Sequence, residues 1–246
     1  MAKSKGNVVD PNDMIQAYGT DTTRLFLLFA APPERDLEWS DQGVMGGHRF
    51  LHRLWTLAHN LLSGLKDAAA YQGTGADLSG GLGEFRRKVH QTIQKVTGDI
   101  EDRFHFNTAI AAVMELINAF YQAAEDHARE EKALPVFREA LEAILLLLYP
   151  MVPHITEELW EALGYNTSLQ LAPWPKAKAE ALAEAARTVV IQINGKVRSR
   201  ITVAAGQSDR ELENAALNDP VIQKWLQGRT PKKVVVARGK LVNIVI

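Results

Sequence analysis

Apolar residues recur every three to four positions through the middle of the chain. Phe50, Leu51, Leu54, Trp55, Ala58, Leu61, Leu62 and Leu65 make one stripe of helical period. Phe85, Val89, Ile93, Val96 and Ile100 make a second. Ile110, Val113, Met114, Ile117, Phe120 and Tyr121 make a third, with Asn107 placed to cap it. Phe137, Leu141, Ile144, Leu145 and Leu148 make a fourth, opened by Pro135 and closed by Pro150 and Pro153, and a short fifth helix runs to Gly164. Helices with one apolar stripe each and intermediate loops predict an antiparallel bundle over residues 44–175. Trp55, Phe104 and Trp160 fall at helical spacing and read as core rather than as stacking platforms. Ahead of the bundle, residues 1–43 predict a helix from Asp10-Pro11 to Gly19. A second helix, capped by Asp21 and carrying Leu25, Phe26, Leu28 and Phe29, ends at Pro32-Pro33.

The period then changes. Pro173-Trp174-Pro175 closes the helical region, and residues 176–187, rich in Ala, Glu and Lys, read as a partly helical tether. Residues 188–193 and 196–203 alternate about Asn194-Gly195, a strong type I′ hairpin signal. Ser208 to Glu211 is a capping box, Pro220 opens another short helix, and residues 232–237 and 240–246 flank a turn at Arg238-Gly239. Residues 188–246 therefore predict a small ββααββ domain. The fold class is mainly α, an antiparallel helical bundle with a small α+β domain behind it.

At 246 residues, 46% hydrophobic and 23% charged, the chain has the composition of a globular protein with room for more than one core. It has no cysteine, which removes disulfides and thiol chemistry. Its apolar runs, residues 143–148 among them, are too short to cross a bilayer. The seven histidines show no persuasive ligand spacing, and His48 and His52 lack a third partner, so no metal site is expected. His154 with Glu157 and Glu158 follows Pro153, where carboxylates complement a helix dipole better than they suggest acid–base work. The glycine-rich stretch from Gly73 to Gly83 lacks the spacing of a phosphate cradle.

Charge is uneven. The net charge is −1, yet residues 187–246 hold 11 Lys and Arg against 4 Asp and Glu. A basic module on an acidic body points to an anionic partner. On the second strand, Lys196, Arg198 and Arg200 share one face by alternation, with Val197, Ile201 and Val203 on the other. At about 6–7 Å spacing, the three cations approximate phosphates along nucleic acid. Lys232, Lys233, Arg238 and Lys240 extend the patch if the two hairpins pair. In the bundle, Arg49 and Arg53 share a face, and Arg86, Arg87, Lys88 and Lys95 cluster. The competing reading for all of these is an ordinary solvated surface.

Three stretches carry a resemblance. Met1-Ala2-Lys3-Ser4-Lys5-Gly6-Asn7 leads through Tyr18-Gly19-Thr20-Asp21-Thr22-Thr23-Arg24 to Ala31-Pro32-Pro33-Glu34-Arg35-Asp36-Leu37-Glu38-Trp39-Ser40. Pro153-His154-Ile155-Thr156-Glu157-Glu158-Leu159-Trp160 and Val190-Ile191-Gln192-Ile193-Asn194-Gly195-Lys196-Val197-Arg198 follow in order. Together they resemble the bacterial-type leucyl-tRNA synthetases, class I enzymes, from the KMSKS signature to the C-terminus. The first lysine of that signature is absent and Ala2 replaces its first serine. The resemblance implies an ATP-phosphate contact at Lys3, with Ser4 beside it; a connector over 1–43; an anticodon-binding-like bundle over 44–175; a linker over 176–187; and a tRNA-binding domain over 188–246. It implies a cytoplasmic, monomeric part of leucine–tRNA ligase. The intact enzyme uses ATP and Mg²⁺ and charges leucine tRNA, whereas this portion alone is expected to bind tRNA without catalysis and without a cofactor. A scaffold or protein-interaction module and a general RNA binder remain the alternatives.

Overall fold

The computed structural model describes residues 9–246 apart from 38, 76, 79, 183–185, 205–206 and 238. Lys3, Ser4 and Arg238, each assigned a contact above, lie outside the described residues. The chain divides into two compact units, Met1–Leu182 and Ala183–Ile246.

The first unit opens with α1 (Pro11–Tyr18), α2 (Thr20–Ala30) and α3 (Asp41–Leu65). The Asp10 side chain accepts from the Asn12 N–H at 2.8 Å, Pro11 fills the first helical position, and Gly19, at φ 86°, ends α1. Gly19 is also the cap residue of α2, so Asp21 lies inside that helix rather than at its cap. Freed from that task, its buried carboxylate crosses to α7 (Pro153–Ala162). There it accepts from the Ile155 N–H at 2.7 Å and meets His154 Nδ1 at 2.7 Å. From the same helix, Arg24 donates to the carbonyls of Met151 and Pro150 at 3.0 and 2.9 Å. These two side chains tie the leading helices to the bundle through backbone groups that a turn leaves unpaired.

The bundle proper is α3, α4 (Gly80–Arg103), α5 (Phe106–His127), α6 (Ala133–Leu148) and α7. Its centre is a triangle of Phe85, Phe120 and Phe137, one from each of α4, α5 and α6, with ring centroids 5.1–6.0 Å apart. Burying each ring stabilises by about 2–3 kcal/mol. Arg138 lies among these helices and donates to the last carbonyls of α3 (Leu65, 2.8 Å) and to that of Leu163 just past α7 (3.0 Å). Its guanidinium stacks on Tyr165, so a cation serves two helix C-termini at once. Asn107 is not the cap of α5, which starts one residue earlier behind His105. Phe104, expected in the core, is 62% exposed at φ 52°, because the tight α4–α5 connection needs a left-handed residue there and turns the ring outward. A short α8 (Ala179–Leu182) completes the unit.

The second unit is a four-stranded sheet with two helices on one face. Its elements are β1 (Ala186–Ile193), β2 (Lys196–Ala204), α9 (Asp209–Leu217), α10 (Pro220–Leu226), β3 (Lys233–Ala237) and β4 (Leu241–Val245). Asn194 and Gly195, at φ 48° and 79°, form the turn expected from their identities. The Ser208–Glu211 capping box opens α9. The strand order is β2-β1-β4-β3, with β1 and β4 parallel at the centre. Val189, Ile191, Ile193, Val242 and Ile244 face Leu212, Ala216, Ile222 and Leu226 of the helices. The other face of the sheet is left open.

A candidate nucleic-acid interface

The cations of β2 do not form the single row that alternation predicts. Ile191 pairs with Ser199, but Gln192 pairs with Val197, so Arg198 is the extra residue of a β-bulge. One inserted residue reverses the alternation beyond it. Arg200, opposite Val190, points to the open face, and so does Val197, opposite Gln192. Lys196, opposite the buried Ile193, falls on the helix-covered side at the exposed end of the strand. Arg198 also turns toward that side, and its guanidinium lies 3.9 Å from the ring centre of Trp225 on α10. Its Nε is buried with no hydrogen-bond partner among the described residues, and Trp225 remains 44% exposed.

The other basic residues of this unit sit around the sheet. Lys233, opposite Val245, shares the open face with Arg200. Their strands are the two edges, three strand spacings apart, or about 14 Å. Lys232 and Lys240 are exposed at opposite ends of the β3–β4 hairpin: the Lys232 N–H donates to the Val245 carbonyl and the Lys240 carbonyl accepts from Val190. The hairpins do not pair through β2 and β3, so the expected continuous patch becomes a rim of cations around an open face. Val190, Gln192, Leu241 and Asn243 form the centre of that face. Its partly apolar middle carries no aromatic ring on which bases could stack, and its cationic edges suit the phosphates of a nucleic-acid backbone.

In the bundle, Arg49 and Arg53 are both exposed on α3. Arg53 is pinned: it donates to Asn118 Oδ1 at 2.8 Å and covers the Tyr121 ring, while the Tyr121 hydroxyl donates to the Arg53 carbonyl. Arg87 is half-buried. Lys88 and Lys95 are paired with Glu115 and Asp99. Arg86 corrects the expectation for its cluster. It is 1% exposed, with Nε 2.8 Å from a Glu139 carboxylate oxygen and its plane over Tyr71, so it has no surface to offer RNA. Glu139 also meets His90 at 3.1 Å and Lys178 at 2.9 Å. Burial pushes its carboxyl up, but the hydrogen bonds from His90, Arg86 and Lys178 outweigh that and hold it at about 2.

A cleft of about 620 Å³ opens among α1–α3 and α7, lined by Tyr18, His48, His52, Trp55, His154 and Glu158. Glu157, expected to complement the α7 dipole, instead accepts the Leu169 N–H at 3.0 Å; Asp21 serves the helix start. Among the described residues no group of three or more His, Cys, Asp or Glu is placed to hold a metal ion, and no helix is long and apolar enough to cross a membrane. The Arg198–Trp225 pair and the Glu139 cluster escaped sequence reading. Glu139 lies about 200° around α6 from Phe137 and Leu141, off the apolar stripe, and is buried because the helix is enclosed on nearly every side, so no local pattern signals the second.

The profile described as the anticodon-binding domain of tRNA ligase matches residues 83–213, and that of class I tRNA synthetases (I, L, M and V) matches residues 1–40. The leucine–tRNA ligase of Syntrophobacter fumaroxidans is 53% identical over 246 residues, and that of Geotalea daltonii 52% over 251. Each alignment takes in the whole of this chain but 30% and 29% of the relative, so the chain spans under a third of the ligases it matches. A crystal structure of the ternary complex of Agrobacterium radiobacter K84 agnB2 LeuRS, tRNA and LeuAMS superposes with a TM-score of 0.78 at 30% identity, covering 100% of this chain and 31% of that one. The helical bundle and the profile that covers more than half of the chain agree: it belongs to the family of anticodon-binding domains of tRNA ligases.

Proposed function

We propose that this chain is the tRNA-holding part of a leucine–tRNA ligase. The observation that carries the reading is identity above 50% to such ligases along the entire chain. The solved complex of a similar chain with tRNA supports RNA as the partner. In this reading the whole enzyme activates leucine with ATP and Mg²⁺ and transfers it to leucine tRNA. The 246 residues alone hold tRNA as a cytoplasmic monomer without forming the adenylate. ATP and Mg²⁺ belong to the remainder of the ligase, and Lys3, beside Ser4, adds a contact to the phosphates of ATP from here.

The second unit supplies phosphate contacts from Arg200, Lys233, Lys240, Lys232, Lys196 and Arg238, and the bundle adds Arg49, Arg53 and Arg87. Arg198 contributes through its stacked arrangement with Trp225. Such contacts follow backbone shape more than base sequence. A filter-binding titration with leucine tRNA at two salt concentrations tests this. Replacing Arg200 and Lys233 with Glu, two open-face residues with no packing role, should weaken binding and lower the salt slope by about 2. An unchanged slope moves the RNA site elsewhere. No tRNA binding by the parent chain favours the scaffold reading, and equal competition by unstructured RNA favours a general RNA binder.

A further inference from the structure

The Glu139 cluster does more than neutralise a buried charge. Arg86 already grips the carboxylate through Nε at 2.8 Å and Nη2 at 3.4 Å, and His90 Nε2 lies 3.1 Å from Oε1. The third partner, Lys178, comes from the segment read above as a tether. Its ammonium donates to Glu139 Oε1 at 2.9 Å and to the Tyr71 carbonyl at 3.3 Å. Its backbone N–H donates to His90 Nδ1 at 3.3 Å. That bond selects the tautomer: Nδ1 must present its lone pair, so the ring proton is on Nε2 and points at Glu139. One imidazole thus links the carboxylate to the main chain of residue 178. Four residues earlier, Trp174 Nε1 donates to Thr97 Oγ1 at 2.8 Å, and three residues later Ala181 is buried. Arg86 Nη1 has no partner among the described residues, and the one guanidinium already balances the charge of Glu139. A second cation here is therefore not needed for charge balance, and what it adds is attachment.

We propose that Lys178 anchors the start of the chain that leads to the second unit, drawing residues 176–182 into the first unit and leaving 183–185 as the entire connection to β1. Ten unattached residues would span roughly 17 Å as a coil, whereas three reach about 10 Å at most. If RNA is held by both units, as the proposed function has it, a short connection raises the effective concentration of the second contact. Lengthening it from three residues to ten lowers that concentration by up to about sixfold. Lys178 is then a positioning residue for RNA binding, acting through the connection and touching no RNA.

The chain has no cysteine, so Glu180→Cys gives one nitroxide-labelling site on exposed α8. Electron paramagnetic resonance should show slow label motion in the parent and in Lys178→Arg, and fast motion in Lys178→Met and Lys178→Gln. Glu139 keeps Arg86 and His90 in all three variants, so the bundle should remain folded, as circular dichroism would verify. Affinity for leucine tRNA should fall by up to about sixfold in Lys178→Met and recover in Lys178→Arg. Equal label motion in parent and Lys178→Met overturns the anchor. Faster motion with unchanged affinity overturns its part in holding RNA. A parent chain that binds no tRNA defeats the proposed function instead, and the label motion still decides the anchor.

Discussion

At the scale of the residue, Glu139 is the side chain on which most depends. It sits 9% exposed with Arg86, His90 and Lys178 around it. Glu139→Gln keeps the shape, removes the charge and leaves Arg86 buried without a counterion, which typically costs about 3–5 kcal/mol. Urea unfolding of the first unit is the measurement. The same carboxylate, held at about 2 when folded against its ordinary value of 4.5, favours the folded state at any pH above about 4.5. That advantage drains away as pH falls from about 4.5 toward 2. The parent's stability margin over Glu139→Gln should therefore be constant from pH 7 to 5 and shrink by pH 3. A margin that does not move would mean the carboxylate is not bonded as described. Arg200 and Lys233 make the opposite case. They are exposed and unburdened by packing, so reversing them should alter RNA affinity and leave the unfolding midpoint within about 0.5 kcal/mol of the parent.

At the scale of the element, the β1–β2 hairpin shows what local chemistry decides. Asn194-Gly195 supplies two residues at positive φ, the condition for a turn whose twist matches the flanking strands. Asn194 and Asn243 add side-chain bonds to the Ile246 and Gly195 N–H groups, so the turn also fastens β4. Gly195→Val places a β-branched side chain at φ 79°, where only glycine is at ease, and should cost about 1–2 kcal/mol in thermal unfolding of residues 183–246. The turn was legible because it depends on two adjacent residue types. The bulge four residues later was not. Lys196-Val197-Arg198-Ser199-Arg200 reads as clean alternation, and the extra residue is chosen where Arg198 can lay its guanidinium on Trp225, 27 positions downstream. A register slip is a pairing decision, and pairing energies belong to both strands and the helix over them. The same holds for Phe104, whose spacing suits a core position but whose backbone is set by how α4 must turn into α5.

At the scale of the whole molecule, each unit has its own core. In the first, α3–α7 close over the Phe85–Phe120–Phe137 triangle; in the second, α9 and α10 close one face of a four-stranded sheet. Residues 183–246, expressed alone, should give a dispersed proton NMR spectrum and a cooperative melt, because the unit closes its own cluster of buried residues from Val189 to Ile244. A collapsed, undispersed spectrum would contradict this. Arg138, Arg24 and Asp21 show why the first unit includes its leading helices. Polar side chains on α2 and α6 satisfy the carbonyls and N–H groups at the ends of α3, α6 and α7, which packing leaves without partners.

The amino-acid order alone determined the helical bundle, the change to a period of two near residue 188, the Asn-Gly turn, the capping box and the excess of positive charge behind the bundle. Each follows from interactions within a few residues, where period, cap and turn chemistry act. Tertiary structure decided which cations face outward. It made Arg86 a core residue, split the β2 row with a bulge, placed β1 beside β4 and bound Lys178 to a carboxylate 39 residues away. Those outcomes balance desolvation against pairing between segments distant in sequence, so no local pattern specifies them.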